Sequence, residues 1–195
     1  MQTTGIVSTV LVPVSTIYEE GADTMIRIYI ADLAAYNDGE LVGAWIDPLN
    51  DAEVDEAIAR FSHNGQSDWA IHDFEAPFRI DEHDDVREVA DWARTLEEAL
   101  ETYPPEVIEA VFDVLDRDDG LNALKEDAVI VYEDCDTMTD VAHAEIEDMG
   151  LMRELPELVQ SYFDFDAFGR DLAIDGTYSF GRHPNGAGFA VRIIS

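Results

Sequence analysis

Lysine and cysteine are the scarcest residues of this sequence. Its 195 residues include one lysine, Lys125, and one cysteine, Cys135. A lone cysteine excludes an internal disulfide and any cysteine-rich zinc site, and it fits a reducing cytoplasm. Cys135 stands between Asp134 and Asp136, surroundings that raise a thiol pKa and oppose a nucleophilic role. Long apolar runs are missing too. The stretch from Ile6 to Val14 is short, is broken by Pro13 and has no basic residue before it, so it reads as neither a membrane span nor a signal peptide. There is no glycine-rich phosphate loop, no Gly-x-Ser-x-Gly elbow and no internal repeat, which removes the commonest signatures of nucleotide and acyl-transfer chemistry.

What the chain has in excess is carboxylate. Forty-four acids face 11 bases, giving a formal net charge of −33 and a pI near 4.1. With 47% apolar residues and 10% aromatics the chain is no disordered acidic tail. A field of this sign repels nucleic acid and membrane surfaces and attracts basic partners, while its self-repulsion opposes compactness. Adaptation to high salt also enriches acids, but it spreads them over every exposed surface. Here residues 1–18 and 176–195 contain no acid, whereas residues 126–148 contain nine and no lysine or arginine. The charge is patterned.

So many carboxylates create accidental metal motifs, and each needs a strict test. A calcium loop with Gly120 at position six and Glu126 at position twelve places Leu115 at position one and Arg117 at position three, so two essential ligands are absent. His143-Ala144-Glu145 matches half of a zinc deaminase signature, but no Pro-Cys-x-x-Cys follows. His72 and Asp73 are neighbours on an expected strand, where successive side chains face opposite ways. No catalytic, cofactor or metal residue is assigned.

In chain order, residues 1–24 read as an extension of unassigned role, in which residues 6–12 have the composition of a strand. Residues 25–80 read as an N-terminal α+β unit. Its strands are the alternating Ile26, Ile28 and Ile30, the stretch Leu41 to Ile46 after an Asn37-Asp38-Gly39 turn, and Trp69 to Phe74. Between them a helix from Asp51 to Phe61 is capped by Asn50 and Glu53. Residues 81–125 form a central acidic helical unit that Asp118-Asp119-Gly120 is expected to end. Residues 126–195 form a C-terminal α+β unit with a strand at Ala128 to Tyr132, a helix from Thr139 to Met149 closed by Gly150, a short helix opened by Pro156, and two final strands around Gly181 to Gly186. The fold class is α+β, three small units in series.

The central unit carries fifteen acids against Arg87, Arg94 and Arg117 between Asp81 and Asp119. Val86, Val89, Ala93, Leu96 and Leu100 recur at helical spacing, leaving Asp84, Asp85, Glu88, Asp91, Glu97, Glu98 and Glu101 toward water. Past Pro104, the residues Val107, Ile108, Val111 and Leu115 make a second apolar stripe, with Pro105 suited to a first helical turn. Opposite lie Glu106, Glu109, Asp113 and Asp116. Read as one helix these four span roughly 15 Å, one charge about every 5 Å, against one phosphate about every 3.4 Å along a DNA strand. A net −33 equals the charge of roughly 56 Å, or about 16 base pairs, of duplex.

Aromatics gather near the end, with Tyr162, Phe163, Phe165 and Phe168 inside seven residues. They read either as a local core under the last hairpin or as part of a self-association surface. Two separated blocks then point to one family. Met25-Ile26-Arg27-Ile28-Tyr29-Ile30-Ala31-Asp32-Leu33-Ala34-Ala35-Tyr36-Asn37-Asp38-Gly39, with Gly43-Ala44-Trp45-Ile46-Asp47 and Trp69-Ala70-Ile71-His72-Asp73-Phe74-Glu75, resembles the opening of the ArdA antirestriction proteins. Tyr162 to Leu172 and Asp175-Gly176-Thr177-Tyr178 resemble that family's C-terminal signature.

The resemblance implies a DNA mimic encoded on mobile elements that occupies the DNA-binding groove of type I restriction-modification enzymes. Incoming DNA then escapes cleavage and, in some cases, modification. It also implies an elongated, cytoplasmic, cofactor-free protein of three small domains, with no direct nucleic-acid or membrane partner. It implies a homodimer through the C-terminal domain, with Tyr162, Phe163, Phe165 and Phe168 at the contact. The mimic face would then comprise the acids of the central unit named above, together with Asp118, Asp119, Glu133, Asp134, Asp136 and Asp140. Two other classes compete with this reading: an acidic chaperone or scaffold for basic proteins, and a salt-adapted carboxylate enzyme.

Overall fold

Residues 24–63, 66–153 and 155–194 are described by the computed structural model; the expected strand at residues 6–12 lies outside them. The first sheet grows from the alternation of isoleucines. Strand β1 (Arg27–Asp32) buries Ile28 and Ile30 completely. Asp32 then caps a short helix α1 (Leu33–Asn37), its carboxylate accepting from the Ala35 amide. The chain returns through a turn in which Gly39 has φ +85°, into β2 (Gly43–Ile46). Helix α2 (Asp51–Arg60) starts at Asn50 as expected, whose side chain accepts from Ala52 and Glu53 amides and donates to the Glu53 carboxylate. A small hairpin of β3 (Ser62–His63) and β4 (Gln66–Ser67) leads into β5 (Trp69–Glu75). The sheet is antiparallel in the order β2-β1-β5.

Strict alternation fails in β5, where Ala70 and Ile71 are both buried. Tyr29 pairs with Asp73 while Ile30 pairs with Ile71, so His72 is the extra residue of a bulge. A bulge shifts the following side chains to the other face, and no pattern of residue types announced it.

Three helices follow. Asp85 caps α3 (Val86–Ala99), which buries Val86, Val89, Ala93 and Leu96 as its spacing predicts. Helix α4 (Pro105–Phe112) opens on Pro105 and buries Val107, Ile108 and Val111. The expectation that Asp118-Asp119-Gly120 ends the helical unit is wrong: Asp116 caps a third helix, α5 (Arg117–Lys125), with Gly120 buried in its second turn. A Cβ on Gly120 would collide with the Phe112 ring. The glycine is there so that α5 can pass under α4.

Strand β6 (Val129–Glu133), helix α6 (Met138–Asp148), a short helix α7 (Glu157–Gln160), helix α8 (Phe165–Asp175), and strands β7 (Thr177–Arg182) and β8 (Gly188–Ile193) complete the chain. The second sheet is antiparallel in the order β6-β8-β7. Thr137 and Asp140 cap α6 reciprocally, and α6 packs on α8 so closely that a Cβ on Gly169 would lie 2.6 Å from the Met138 carbonyl oxygen.

The protein is thus mixed α+β, with two small three-stranded antiparallel sheets and, between them in chain order, the helices α3 to α5. One buried core nevertheless runs from Ile26 and Ile28 through Val89, Leu96, Ile108 and Val111 to Val129, Phe189 and Val191. No helix of the described residues is long and apolar enough to cross a membrane.

Candidate functional site

The structure sorts the seventeen acids read as a partner-facing surface into two groups. In the first, the carboxylate is engaged within the chain. Asp84 lies 3.0 Å from the Arg117 guanidinium, whose other side holds Asp118 at 3.1 Å and which stacks 3.9 Å above the Trp92 ring. Asp91 pairs with Arg94 at 2.6 Å and Asp136 with Arg182 at 2.8 Å. Asp85 and Asp116 accept amides at the starts of α3 and α5. The Thr137 hydroxyl and two backbone amides hold the Asp140 carboxyl below the usual carboxylate range, against a smaller opposing effect of burial. Glu106 and Glu133 both reach His183, at 2.8 Å each.

The second group is Glu88, Glu97, Glu98, Glu101, Glu109, Asp113, Asp119 and Asp134. All eight are exposed. Among the described residues, none of their side chains makes an ion pair or a side-chain hydrogen bond. The row of Glu106, Glu109, Asp113 and Asp116 therefore does not survive as one helical stripe. Helix α4 ends at Phe112, Asp116 belongs to the next helix, and Glu106 turns inward.

Placement along the helices is as informative as exposure. A helix end with unsatisfied carbonyls carries partial negative charge, so acids there are unfavourable and cations favourable. Helices α2 and α5 obey this, ending on Arg60 and Lys125. Helices α3, α4, α6 and α8 have no base in the last turn. Instead Glu97, Glu98 and Glu101 crowd the end of α3, Glu109 and Asp113 that of α4, and Glu147 and Asp148 that of α6. Natural sequences break such local rules chiefly where function demands it.

The aromatic block divides in a similar way. Phe163 packs edge-on against Phe165 at 4.7 Å and Phe168 at 5.8 Å, and His143 stacks on Phe165 at 3.6 Å. These three rings are half-buried in a local cluster between α6 and α8. Tyr162 points outward and is 81% exposed. Beside it in the chain Met149, Leu151, Leu155, Leu158 and Val159 are exposed as well. Sequence reasoning missed these five, because they straddle a turn and a four-residue helix too short to show a period.

Among the described residues, no group of three or more His, Cys, Asp or Glu is arranged to hold a metal ion. Cys135 is buried, and burial together with Asp140, Asp134, Asp136 and Glu133 raises its thiol pKa, which keeps it protonated and inert. Glu145, the one buried glutamate of the described residues, accepts from the Tyr132 hydroxyl and pairs with Arg192. It ties α6 to the second sheet.

A family model described as antirestriction protein (ArdA) matches residues 28–185. The chain belongs to the ArdA family of antirestriction proteins. Its function is accordingly antirestriction, directed against restriction enzymes. No curated protein matches the chain. The bounds of the ArdA match enclose the acidic helices α3 to α5 and the aromatic block, so the unpaired acids and the exposed apolar residues both lie within the matched range.

Proposed function

We propose that this ArdA protein is a stoichiometric inhibitor that occupies the DNA-binding groove of a type I restriction-modification enzyme by presenting carboxylates where DNA presents phosphates. The observation that carries the proposal is the set of exposed acids with no ion-pair partner among the described residues: Glu88, Glu97, Glu98, Glu101, Glu109, Asp113, Asp119 and Asp134. Lysines and arginines that grip DNA do so chiefly through phosphates and without reading sequence. A row of fixed carboxylates satisfies the same groups. Binding shared over many weak contacts makes single substitutions nearly silent, so the test neutralises a set.

Purified protein titrated into a type I cleavage reaction at fixed DNA should suppress cleavage at near-equimolar enzyme. The variant with Glu97, Glu98 and Glu101 changed to Gln, Glu109→Gln and Asp113→Asn should require at least tenfold more inhibitor with an unchanged circular dichroism spectrum. An unaltered inhibition curve for that variant removes these helix ends as the binding face. Equal binding to an unrelated cationic protein would instead make the chain a general acidic carrier.

The same proposal includes three units in series, at residues 25–80, 81–125 and 126–195, and a homodimer. The exposed Met149, Leu151, Leu155, Leu158, Val159 and Tyr162 support the dimer, as apolar side chains concentrated on one stretch of an otherwise acidic surface. Leu158→Glu with Tyr162→Glu should convert the dimer to a monomer in light scattering. Retention of dimer mass in that variant moves the interface elsewhere.

A further inference from the structure

His183 immediately follows β7, in a turn closed by backbone hydrogen bonds from the His183 amide to Ala187 and from the Gly186 amide to His183. Its ring faces two carboxylates from distant parts of the chain. Nδ1 lies 2.8 Å from Glu106 in the first turn of α4, and Nε2 lies 2.8 Å from Glu133 at the end of β6. From β8 the Phe189 ring packs against it at 4.7 Å. The neighbouring Arg182 is turned away to Asp136 and to the Gly186 carbonyl. Glu106 and Glu133 are thus the charged groups that meet the ring from the elements packed around it.

An ionised carboxylate only accepts hydrogen bonds, so two such contacts need an N–H on both ring nitrogens. A neutral imidazole has one. Its other nitrogen would set a lone pair against a carboxylate lone pair. The arrangement is therefore complete only with an imidazolium.

We propose that His183 is a proton-dependent clamp that, when protonated, joins α4 of the acidic helices to the end of β6 through Glu106 and Glu133, and that loss of its proton releases one of the two carboxylates. Glu133 is the one released, because its side chain is 65% exposed and water can replace the ring, whereas Glu106 is 22% exposed. Burial of the ring works against its charge, and the hydrogen bonds and charges of Glu106 and Glu133 outweigh that effect, holding the pKa above the ordinary 6.5. A folded-state pKa raised above the unfolded one gives stabilisation that is complete below pH 6.5 and fades as pH rises through the folded value. On the mimic reading the clamp also fixes where the carboxylates of α4 stand relative to those of the β6–α6 turn, but its test does not depend on that reading.

An NMR titration of the histidine ring protons in the intact protein tests the clamp directly. The His183 midpoint should lie above 6.5, and Glu106→Gln and Glu133→Gln should each lower it by on the order of one pH unit. The loss in thermal midpoint caused by His183→Gln should be larger at pH 6 than at pH 8.5. A wild-type midpoint at or below 6.5 overturns the proposal, as does a raised midpoint that neither glutamine substitution moves. Should Glu106→Gln fail to fold, the exposed Glu133→Gln decides alone.

Discussion

Glu145 is the one buried glutamate among the described residues. It is 7% exposed, and its negative charge is met by Arg192 and by the Tyr132 hydroxyl. Removing one partner from a buried pair strands the other charge, which costs about 3 kcal/mol or more. Arg192→Met should therefore lower the unfolding free energy by about 3 kcal/mol, visible as a reduced urea midpoint at unchanged slope. The Tyr178 hydroxyl, by contrast, is buried with no hydrogen-bond partner among the described residues, so Tyr178→Phe should change stability by less than about 0.5 kcal/mol. If both variants behave alike, the Glu145 charge is hydrated rather than paired. Neither residue type nor position betrayed Glu145, which sits in a run of acids indistinguishable in sequence from its exposed neighbours.

At the scale of elements, two glycines and the helix ends make opposite demands. Gly120 lets α5 pass under Phe112, and Gly169 lets α8 meet the first turn of α6. Neither has a positive φ, so their role is space and not backbone freedom. Gly169→Ala should destabilise by about 1–3 kcal/mol through overpacking against the Met138 backbone, measured by denaturant unfolding; no loss would mean that α6 and α8 can separate freely. The end of α3 runs the other way. Glu97, Glu98 and Glu101 oppose the helix dipole with no compensating base, each at a few tenths to about 1 kcal/mol in low salt. The triple glutamine variant should therefore melt at a higher temperature than the parent while inhibiting less. A variant that melts lower would show that those acids stabilise the fold. The stripes Val86–Leu96 and Val107–Val111 were readable because a helix repeats every 3.6 residues. The start of α5 was not, since a glycine after two aspartates looks like a turn until the ring above it is seen.

Across the whole molecule, a net −33 means that self-repulsion must weaken the fold at low ionic strength. The Debye length falls from about 30 Å at 0.01 M salt to about 8 Å at 0.15 M. The melting temperature should accordingly rise with sodium chloride over that range; a flat response would mean that the charge is already compensated by bound cations. A compact 195-residue monomer would have a radius of gyration of about 16 Å, and a compact dimer about 21 Å. Three units in series joined as a dimer should scatter well above the larger value, and a measured radius near 21 Å would sink that arrangement.

The sequence by itself determined the charge, the family resemblance and the β1, α2, α3 and α4 elements, because these rest on composition and on periods confined to one segment. Tertiary structure alone decided which acids are available. Asp84 finds Arg117 across 33 residues, and Glu106 finds His183 across 77, separations over which no local pattern carries information. The bulge at His72, the close passage at Gly169 and the outward turn of Tyr162 away from its packed neighbours are of the same kind. Each depends on what lies opposite, and only the folded chain fixes that.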